Sequence, residues 1–555
     1  MRDAGTSPAT AQAARILGAL GAMVASTNPS AALLADGAHV TDADDAGPDI
    51  VLDDGTAGVR HACTVDVQVA GAGGPTDDSE RRLQEGFGLA ALTGEPEGEA
   101  LLVGGWPALL HCGAQAAVAA LLGVVARERS AVAPQMIVDA RSTTLAMLDD
   151  APLRFLRGHP PRPRTRGARF LERNGRLARA SDGWVSLSMS RDDEWETVSA
   201  LARRADCSSV TDWIALHSRR QVFDILQAMR LACGMGLTPA EVLDDPLLRE
   251  RGAVRHGRVV SPFRCELRPG SRWSPPAIGD EPPLHGVRVV ELAGLWAGPA
   301  ATEMLARWGA TVVKVESPQR LDGFRDDEGT RFETFNAGKR SVLLDLDGDA
   351  GRAALHALLR SADVLVEAHA PRVLPNWGLD APALRTLNPS LIVLHLPALG
   401  GEPDTWPQHV AYGFDQEMLC GQAVIDADAP VRPAGVPLGD PVAATAAAAA
   451  VLAGLWQRMR SGAVAHVELA QRDALLHHLA PRCEAARGGR AWAADALAGV
   501  IASSPQTAGE ALAGLGTDRG WDQGIRMLGT PWRAPAPAPR PGEHTAAELR
   551  RAGVS

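Results

Sequence analysis

Val287-Arg288-Val289-Val290-Glu291-Leu292, a tight turn at Gly294–Pro299, Ala300–Trp308 and then Thr311-Val312-Val313-Lys314-Val315-Glu316 follow one another without a break. The first and last of these are short β-branched runs, which read as buried strands. Between them Ala300–Trp308 carries helical spacing and stops before Gly309, a residue that ends helices readily. Strand, turn, helix and parallel strand make one βαβ unit. The reading extends downstream through strands at Ser341–Leu346, Asp363–Glu367 and Leu391–Leu396, with helical patterns at Gly351–Ser361 and Ala381–Leu387. Apolar strands alternating with helices predict an α/β fold with a Rossmann-like parallel sheet covered on both faces.

Upstream, the Pro-rich stretch Arg272-Trp273-Ser274-Pro275-Pro276 through Glu281-Pro282-Pro283 marks a boundary, because such clusters continue neither a helix nor a central strand. The sequence before it repeats the sequence after it in weakened form. Ile16–Val24 echoes Met304–Val312, and Pro48–Asp53 echoes Ala362–Glu367. Gly105-Trp106-Pro107 with the Ala-rich helix Ala114–Arg127 echoes Gly435-Val436-Pro437 with Ala443–Arg458. The chain therefore divides into units 1–280 and 281–555, a diverged tandem duplication. The first unit has a compressed sheet region but keeps a block at about 181–275 containing Asp182–Ser188, Glu194-Trp195 and Leu237–Pro246. The second keeps a full sheet region and replaces that block with the Ala/Gly-rich Arg487–Thr517.

With 555 residues, 46 % hydrophobic and 22 % charged, the chain has ordinary globular composition. A formal net charge of −11 argues against a nucleic-acid partner held by a basic surface. Only two of the 55 basic residues are Lys, Lys314 and Lys339. The 7 cysteines are odd in number and scattered, which suggests neither a disulfide framework nor a zinc site. No apolar signal region follows Met1, and the mild apolar run Ala443–Trp456 falls short of the roughly 18 residues of a span. The expectation is a cytoplasmic protein without membrane partner.

Several of these stretches carry a resemblance. Pro283–Leu292 with Ala297–Ala300, Gly309–Glu316, Asn336-Ala337-Gly338-Lys339-Arg340-Ser341, Leu387–Ile392, Gly435-Val436-Pro437-Leu438-Gly439-Asp440 and Arg540–Thr545 resemble, in order, the class III CoA-transferases (CaiB/BaiF type). These include the formyl-CoA and carnitine CoA-transferases. Asp182–Ser188 and Thr238–Gly252 resemble the family's small-domain segment. The match covers 284–480 strongly, 87–275 moderately and the first 80 residues weakly. The resemblance implies a CoA-binding domain plus a smaller α+β domain, duplicated here as an intertwined pseudo-dimer. One competent site per chain then joins the second unit's sheet to the first unit's small domain. It also implies acyl-CoA and a carboxylic acid as substrates, with CoA arriving as part of the thioester and no tightly bound cofactor. A monomeric pseudo-dimer and a further homo-oligomer both fit.

Asp440 aligns with the family's catalytic aspartate, a carboxylate able to attack a thioester carbonyl, form a mixed anhydride and release the CoA thiolate. In Gly439-Asp440-Pro441 it also suits helix capping, and the two roles coexist. The first-unit counterpart is Leu110, which cannot act as a nucleophile. Phe414 stands where the related α-methylacyl-CoA racemases resemble Gly-His-Asp, so proton movement next to the thioester loses its His. His409 nearby reads as a solvated loop residue. Asp415 is a supporting carboxylate or a structural one.

Leu295, Trp296 and Ala297 lie at the turn after the first strand, where α/β sheets place ligands. Trp296 replaces the Gln of formyl-CoA transferase and points to a bulkier acyl group or to packing. Leu344 matches a CoA contact. Ser317 and Asp347 replace an Arg and a Lys, Ala368-His369 replaces Asn-Phe, and Asn376-Trp377 replaces Arg-Met. Lost cations weaken phosphate recognition; Arg320, Arg325 and Arg372 are the candidates to compensate. His369, Asn376 and Trp377 complete the CoA-side set, Trp377 as an adenine stack or as packing. Lys339-Arg340 is electrostatic or structural. Gly488-Gly489 and Gly104-Gly105 are the weak candidates for the family's glycine-rich loop. Two other readings stay open: a non-catalytic acyl-CoA-binding or partner subunit, and a racemase-like isomerase.

Overall fold

The structure is a computed structural model. It describes residues 2–3, 8–20, 25–26, 50–53, 65–70, 77–94, 98–130, 134–162, 175–189, 191–275, 277–279, 281–325, 329–401, 409–424, 431, 434–489, 502–503, 505–515, 524–528 and 535–554. Parts of the first-unit echoes and most of the Arg487–Thr517 block lie outside them.

In chain order the first unit contributes β1 (Arg2–Asp3), β2 (Ala25–Ser26), β3 (Ile50–Asp53), β4 (Val65–Ala70) and β5 (Gln135–Asp139). Next come β6 (Gly175–Ala180), β7 (Gly183–Ser188), β8 (Cys233–Met235), the short hairpin β9 (Val254–Arg255) and β10 (Arg258–Val259), and β11 (Phe263–Pro269). The second unit contributes β12 (Arg288–Leu292), β13 (Thr311–Glu316), β14 (Arg340–Leu343), β15 (Val364–Glu367), β16 (Ile392–His395), β17 (Ala463–Leu469) and β18 (Ile525–Met527).

β12 to β17 form a parallel sheet in the order β17-β16-β15-β12-β13-β14. The βαβ reading holds: β13 has the expected bounds, and a helix over Ala297–Arg307 joins it to β12. The expected helix Ala381–Leu387 forms as read, with Asp380 capping it by accepting from Ala383 N–H at 2.8 Å. β14 ends at Leu343 rather than Leu346: the last ladder bond to β13 is Leu344 N–H to Glu316 O at 3.0 Å, opposite the end of that strand.

Each unit hands a strand to the other's sheet. β11 adds antiparallel to β17, and β18 adds antiparallel to β5, completing a six-stranded sheet ordered β18-β5-β4-β3-β1-β2. The first-unit sheet is thus fuller than its sequence suggests, and β11 belongs to the second-unit sheet rather than to the small 181–275 unit. That small unit is the three-stranded sheet β6-β7-β8 with its flanking helices.

Two long helices, Pro107–Ser130 and Gly439–Ser461, are the counterparts in the duplication and pack against one another at the centre. The second starts earlier and ends later than the apolar run foretold. By length and composition both are apolar enough to cross a membrane, and both are largely buried inside the protein. Their Ala-rich faces permit the close approach: Ala443, Ala447, Ala116 and Ala120 are fully enclosed.

The only two lysines are both in the core. Lys314 Nζ lies 2.9 Å from Glu291 Oε1 and 2.9 Å from Asp322 Oδ2, and 2.7 Å from Ala293 O. Lys339 Nζ lies 2.7 Å from Glu291 Oε2 and 2.8 Å from Pro299 O. Lys339 is therefore structural: together the two ammonium groups pin the turn between β12 and its helix. They also hold the Glu291 carboxyl down to about 2 against the burial that would raise it.

Candidate active site

Asp440 is the second residue of the Gly439–Ser461 helix, at the end where N–H groups are unsatisfied and negative charge is favoured. Its carboxylate is partly open to solvent and accepts no hydrogen bond among the described residues, so Asp440 does not cap the helix as expected: Leu438 holds the N-cap position and Asp440 lies within the first turn. A Cβ at Gly413 would lie 2.1 Å from Asp440 Oδ2, so only glycine leaves this carboxylate room. Burial, followed by the charge of Asp149, raises Asp440 to about 7. The turn leading into it touches the first unit: Gly435 N–H donates to Thr93 Oγ1 at 3.0 Å.

Asp149 comes from the first unit. It has a left-handed backbone (φ 55°) unusual for a residue other than glycine. Its Oδ2 pairs with Arg331 at 2.7 Å, while Oδ1 is buried without a partner. Met147, two residues earlier, lines a narrow apolar cleft with Leu438 and Val442 on either side of Asp440. Sequence reading missed Asp149, since no local pattern signals its backbone.

Asp415 sits on the adjoining helix, Gly413–Leu419, fully enclosed. Oδ1 accepts Ser186 Oγ at 2.6 Å and Ser188 Oγ at 2.7 Å, and Oδ2 accepts Tyr412 N–H at 3.0 Å. The two serines alternate on β7, so both hydroxyls point to one face. Here the first unit's small sheet is bonded directly to the second unit. Burial raises Asp415 to about 6, with the hydroxyls and the Tyr412 N–H pulling the other way. Phe414 packs in an apolar cluster with Met418, Ala423 and Val424. His409 is not the solvated residue expected: its ring lies 5.3 Å from Phe223 edge-on, and burial with nearby Arg472 and Arg220 lowers it to about 4.

The CoA-side set spreads along the carboxyl ends of β12, β14 and β15. Leu295 has φ 65°, and its N–H points at the Asp322 carboxylate, 3.2 Å from each oxygen. Trp296 is buried, its ring 5.0 Å from Phe335, so of the two readings the side chain takes the packing one. Ala297 opens the helix and is buried, as is Leu344. His369 N–H donates to Glu367 Oε2 at 3.0 Å, and its ring meets Trp377 edge-on at 5.6 Å. Asn376 is exposed beside it.

Of the three arginines offered as phosphate partners, Arg325 is committed to Glu316 at 2.6 Å and lies 3.6 Å over Phe332. Arg320 is exposed. Arg372 is lowered by burial and by Arg230, which brings one arginine from each unit to the same edge. The helix that carries Asp415 thus meets Asp440 through Gly413, while the Asp415 carboxyl itself is turned to Ser186 and Ser188, and the CoA-side residues follow the ends of the second-unit strands. Gly105 (φ 92°) lies at the seam between units, where Gly104 O accepts from Gln422 Nε2 at 3.0 Å; Gly489 stands in open space.

A sequence profile described as CoA-transferase family III matches residues 78–281 and again 284–537. The chain belongs to CoA-transferase family III. Its two consecutive matches make the duplication a property of the family unit itself. Among curated relatives, the chain is 35 % identical over 208 residues to succinate–glutarate CoA-transferase of Agrobacterium fabrum, covering 35 % of this chain and 52 % of that one. It is 34 % identical over 189 residues to succinyl-CoA–D-citramalate CoA-transferase of Chloroflexus aurantiacus, covering 32 % and 47 %. It is 30 % identical over 202 residues to formyl-CoA:oxalate CoA-transferase of Streptomyces avermitilis, covering 35 % and 49 %. The chain thus spans about half the length of the curated relatives it matches. A crystal structure of Rv3272 from M. tuberculosis is similar at 30 % identity over 37 % of this chain and 59 % of that one, TM-score 0.35.

Proposed function

We propose that this family III chain is an acyl-CoA:carboxylate CoA-transferase with a single site, in which Asp440 carries the acyl group and then CoA. The observation that supports it most is an unbonded carboxylate at a helix N-terminus, stopped against Gly413 and bordered by residues of both units. An Asp440 oxygen attacks the thioester carbonyl, the C–S bond breaks, and CoA leaves as thiolate. The thiolate attacks the aspartyl carbonyl of the mixed anhydride, the donor leaves as carboxylate, and an aspartyl-CoA thioester remains. The acceptor carboxylate attacks that thioester, expelling CoA thiolate and forming a second anhydride; the thiolate then attacks the acceptor's carbonyl, the new acyl-CoA forms and the Asp440 carboxylate is released. The N-terminus of the Gly439–Ser461 helix favours each negative charge that develops. Leu110 at the corresponding position of the Pro107–Ser130 helix supports one site rather than two. Phe414 has no titratable proton for racemisation, and His409 is packed edge-on against Phe223 with its basicity lowered, which weighs against a base there.

The test is trapping. Full-length protein is incubated with a panel of acyl-CoA thioesters and then hydroxylamine or borohydride, and digested for mass spectrometry. Modification at Asp440, absent in Asp440→Asn, is expected. Acyl-CoA binding without modification assigns the chain to a binding or partner role instead; deuterium wash-in next to the thioester without CoA exchange assigns it to the isomerases.

A further inference from the structure

Three residues of the Gly413–Leu419 helix touch the start of the Asp440 helix, and they stand at i, i+3 and i+4, one face of one helix. Gly413 stops Asp440 Oδ2. Gln416 Oε1 would lie 2.5 Å from a Cβ at Gly439, while its Nε2 donates to Gln471 Oε1 at 3.0 Å. Glu417 Oε1 accepts Leu438 N–H at 2.6 Å, and Oε2 faces Ala434 N–H at 3.5 Å.

We propose that Glu417 is the positioning residue of this site, its enclosed carboxyl tying the 434–440 turn to the Gly413–Leu419 helix and so fixing where the Asp440 oxygens stand. The inference rests on Asp440 being the reactive carboxylate. Glu417 is fully buried, and no cation pairs with it among the described residues. An ionised carboxylate in that setting is costly, so Glu417 is held as the neutral acid. Burial raises it to about 8, and Asp440's charge pushes the same way against the two backbone donors. Among the described residues, the other titratable or charged groups felt at this helix and at Cys420 beyond it are Cys233 of β8, near Asp415, and Arg472, Asp473, Cys483 and Asp245, near Cys420. Ser186 and Ser188 of β7 bond Asp415. As the neutral acid, Glu417 anchors the turn without adding a second negative charge beside the nucleophile. Above about pH 8 that charge appears beside the site and opposes the oxyanion that develops on the thioester carbonyl as Asp440 attacks.

The experiment uses full-length Glu417→Gln and Glu417→Leu. Gln keeps an acceptor for Leu438 N–H and never ionises; Leu keeps the bulk and removes the acceptor. Two readouts are taken: amide exchange at Leu438, and the pH profile of single-turnover Asp440 modification by acyl-CoA. Glu417→Gln is expected to protect Leu438 as the parent does, to react at a similar rate near pH 7, and to lose the decline above about pH 8. Glu417→Leu is expected to expose the Leu438 amide while the rest of the Gly439–Ser461 helix stays protected, and to react about tenfold more slowly, the cost of one unmade buried hydrogen bond. A protected Leu438 in Glu417→Leu, or a Glu417→Gln profile superimposable on the parent's, overturns the proposal. If the parent is not modified at Asp440 but Leu438 opens in Glu417→Leu, the turn anchor stands and it is the transferase reading that fails.

Discussion

At Asp149 a left-handed backbone, an ion pair to Arg331 and an orphaned oxygen coincide, and this residue's charge is felt at Asp440 across the seam between units. A nucleophilic carboxylate must be ionised, so with Asp440 raised to about 7 the acylation rate should fall as pH drops below 7. Asp149→Asn removes the neighbouring negative charge and leaves Arg331 unpaired, and both effects favour the ionised form of Asp440. The acid limb of the pH profile should therefore move to lower pH; an unmoved limb contradicts the coupling. Glu291 and Glu367 illustrate the opposite sign. Both are held at about 2 instead of 4.5, so the stability they supply is complete above about 4.5 and disappears as pH falls toward 2. Acid denaturation followed by circular dichroism reads it directly.

Among elements, the turn between β12 and its helix depends on the lysine pair described above. Lys339→Met leaves Glu291 with one of its two cations and removes one of the donors to Pro299 O. Breaking a buried pair this way typically costs about 3–5 kcal/mol, which urea unfolding would show as a lower midpoint at unchanged slope. On β7, Ser186→Ala with Ser188→Ala strips Asp415 of the two hydroxyls that offset its burial. Its carboxyl should titrate at still higher pH, seen as a raised chemical shift midpoint for a labelled Asp415.

These elements also show what a linear sequence can and cannot display. β13 and the Ala381–Leu387 helix were legible because apolar period, cap and turn residue agree locally. The helix after β12 begins earlier than Pro299 suggests, since Pro occupies its third position rather than its first. β11 and β18 could not be paired from sequence: their partners lie some 200 and 390 residues away along the chain, and neither carries a signal of which sheet it joins. Asp440 was singled out by the resemblance of Gly435–Asp440 to the family, whereas its Gly-Asp-Pro setting signalled only a helix start. Glu417 was not, because a glutamate in a short helix reads as a solvated face, and only the fold reveals that this one is enclosed.

For the molecule as a whole, the exchange of β11 and β18 makes the two units mutually dependent. After β18 the chain returns to the second unit, where His544 N–H donates to Ser341 O at 3.0 Å and Glu548 pairs with Arg288 and Arg340. Limited proteolysis confined to the Pro-rich 272–283 stretch should therefore yield two fragments that co-elute in size exclusion and unfold in one transition. Fragments that separate without denaturant would contradict the strand exchange.

Covalent joining also changes what a mutation means. In an assembly of identical subunits every substitution is written twice, so a residue good for one role but harmful in its symmetric copy is held back. Here Ser186 and Asp415 lie in one chain, and their bond forms at the same strength however dilute the protein becomes. Leu110 and Asp440 show the freedom this gives: at matching places in the two units, one side chain is an enclosed leucine and the other an acid partly open to solvent.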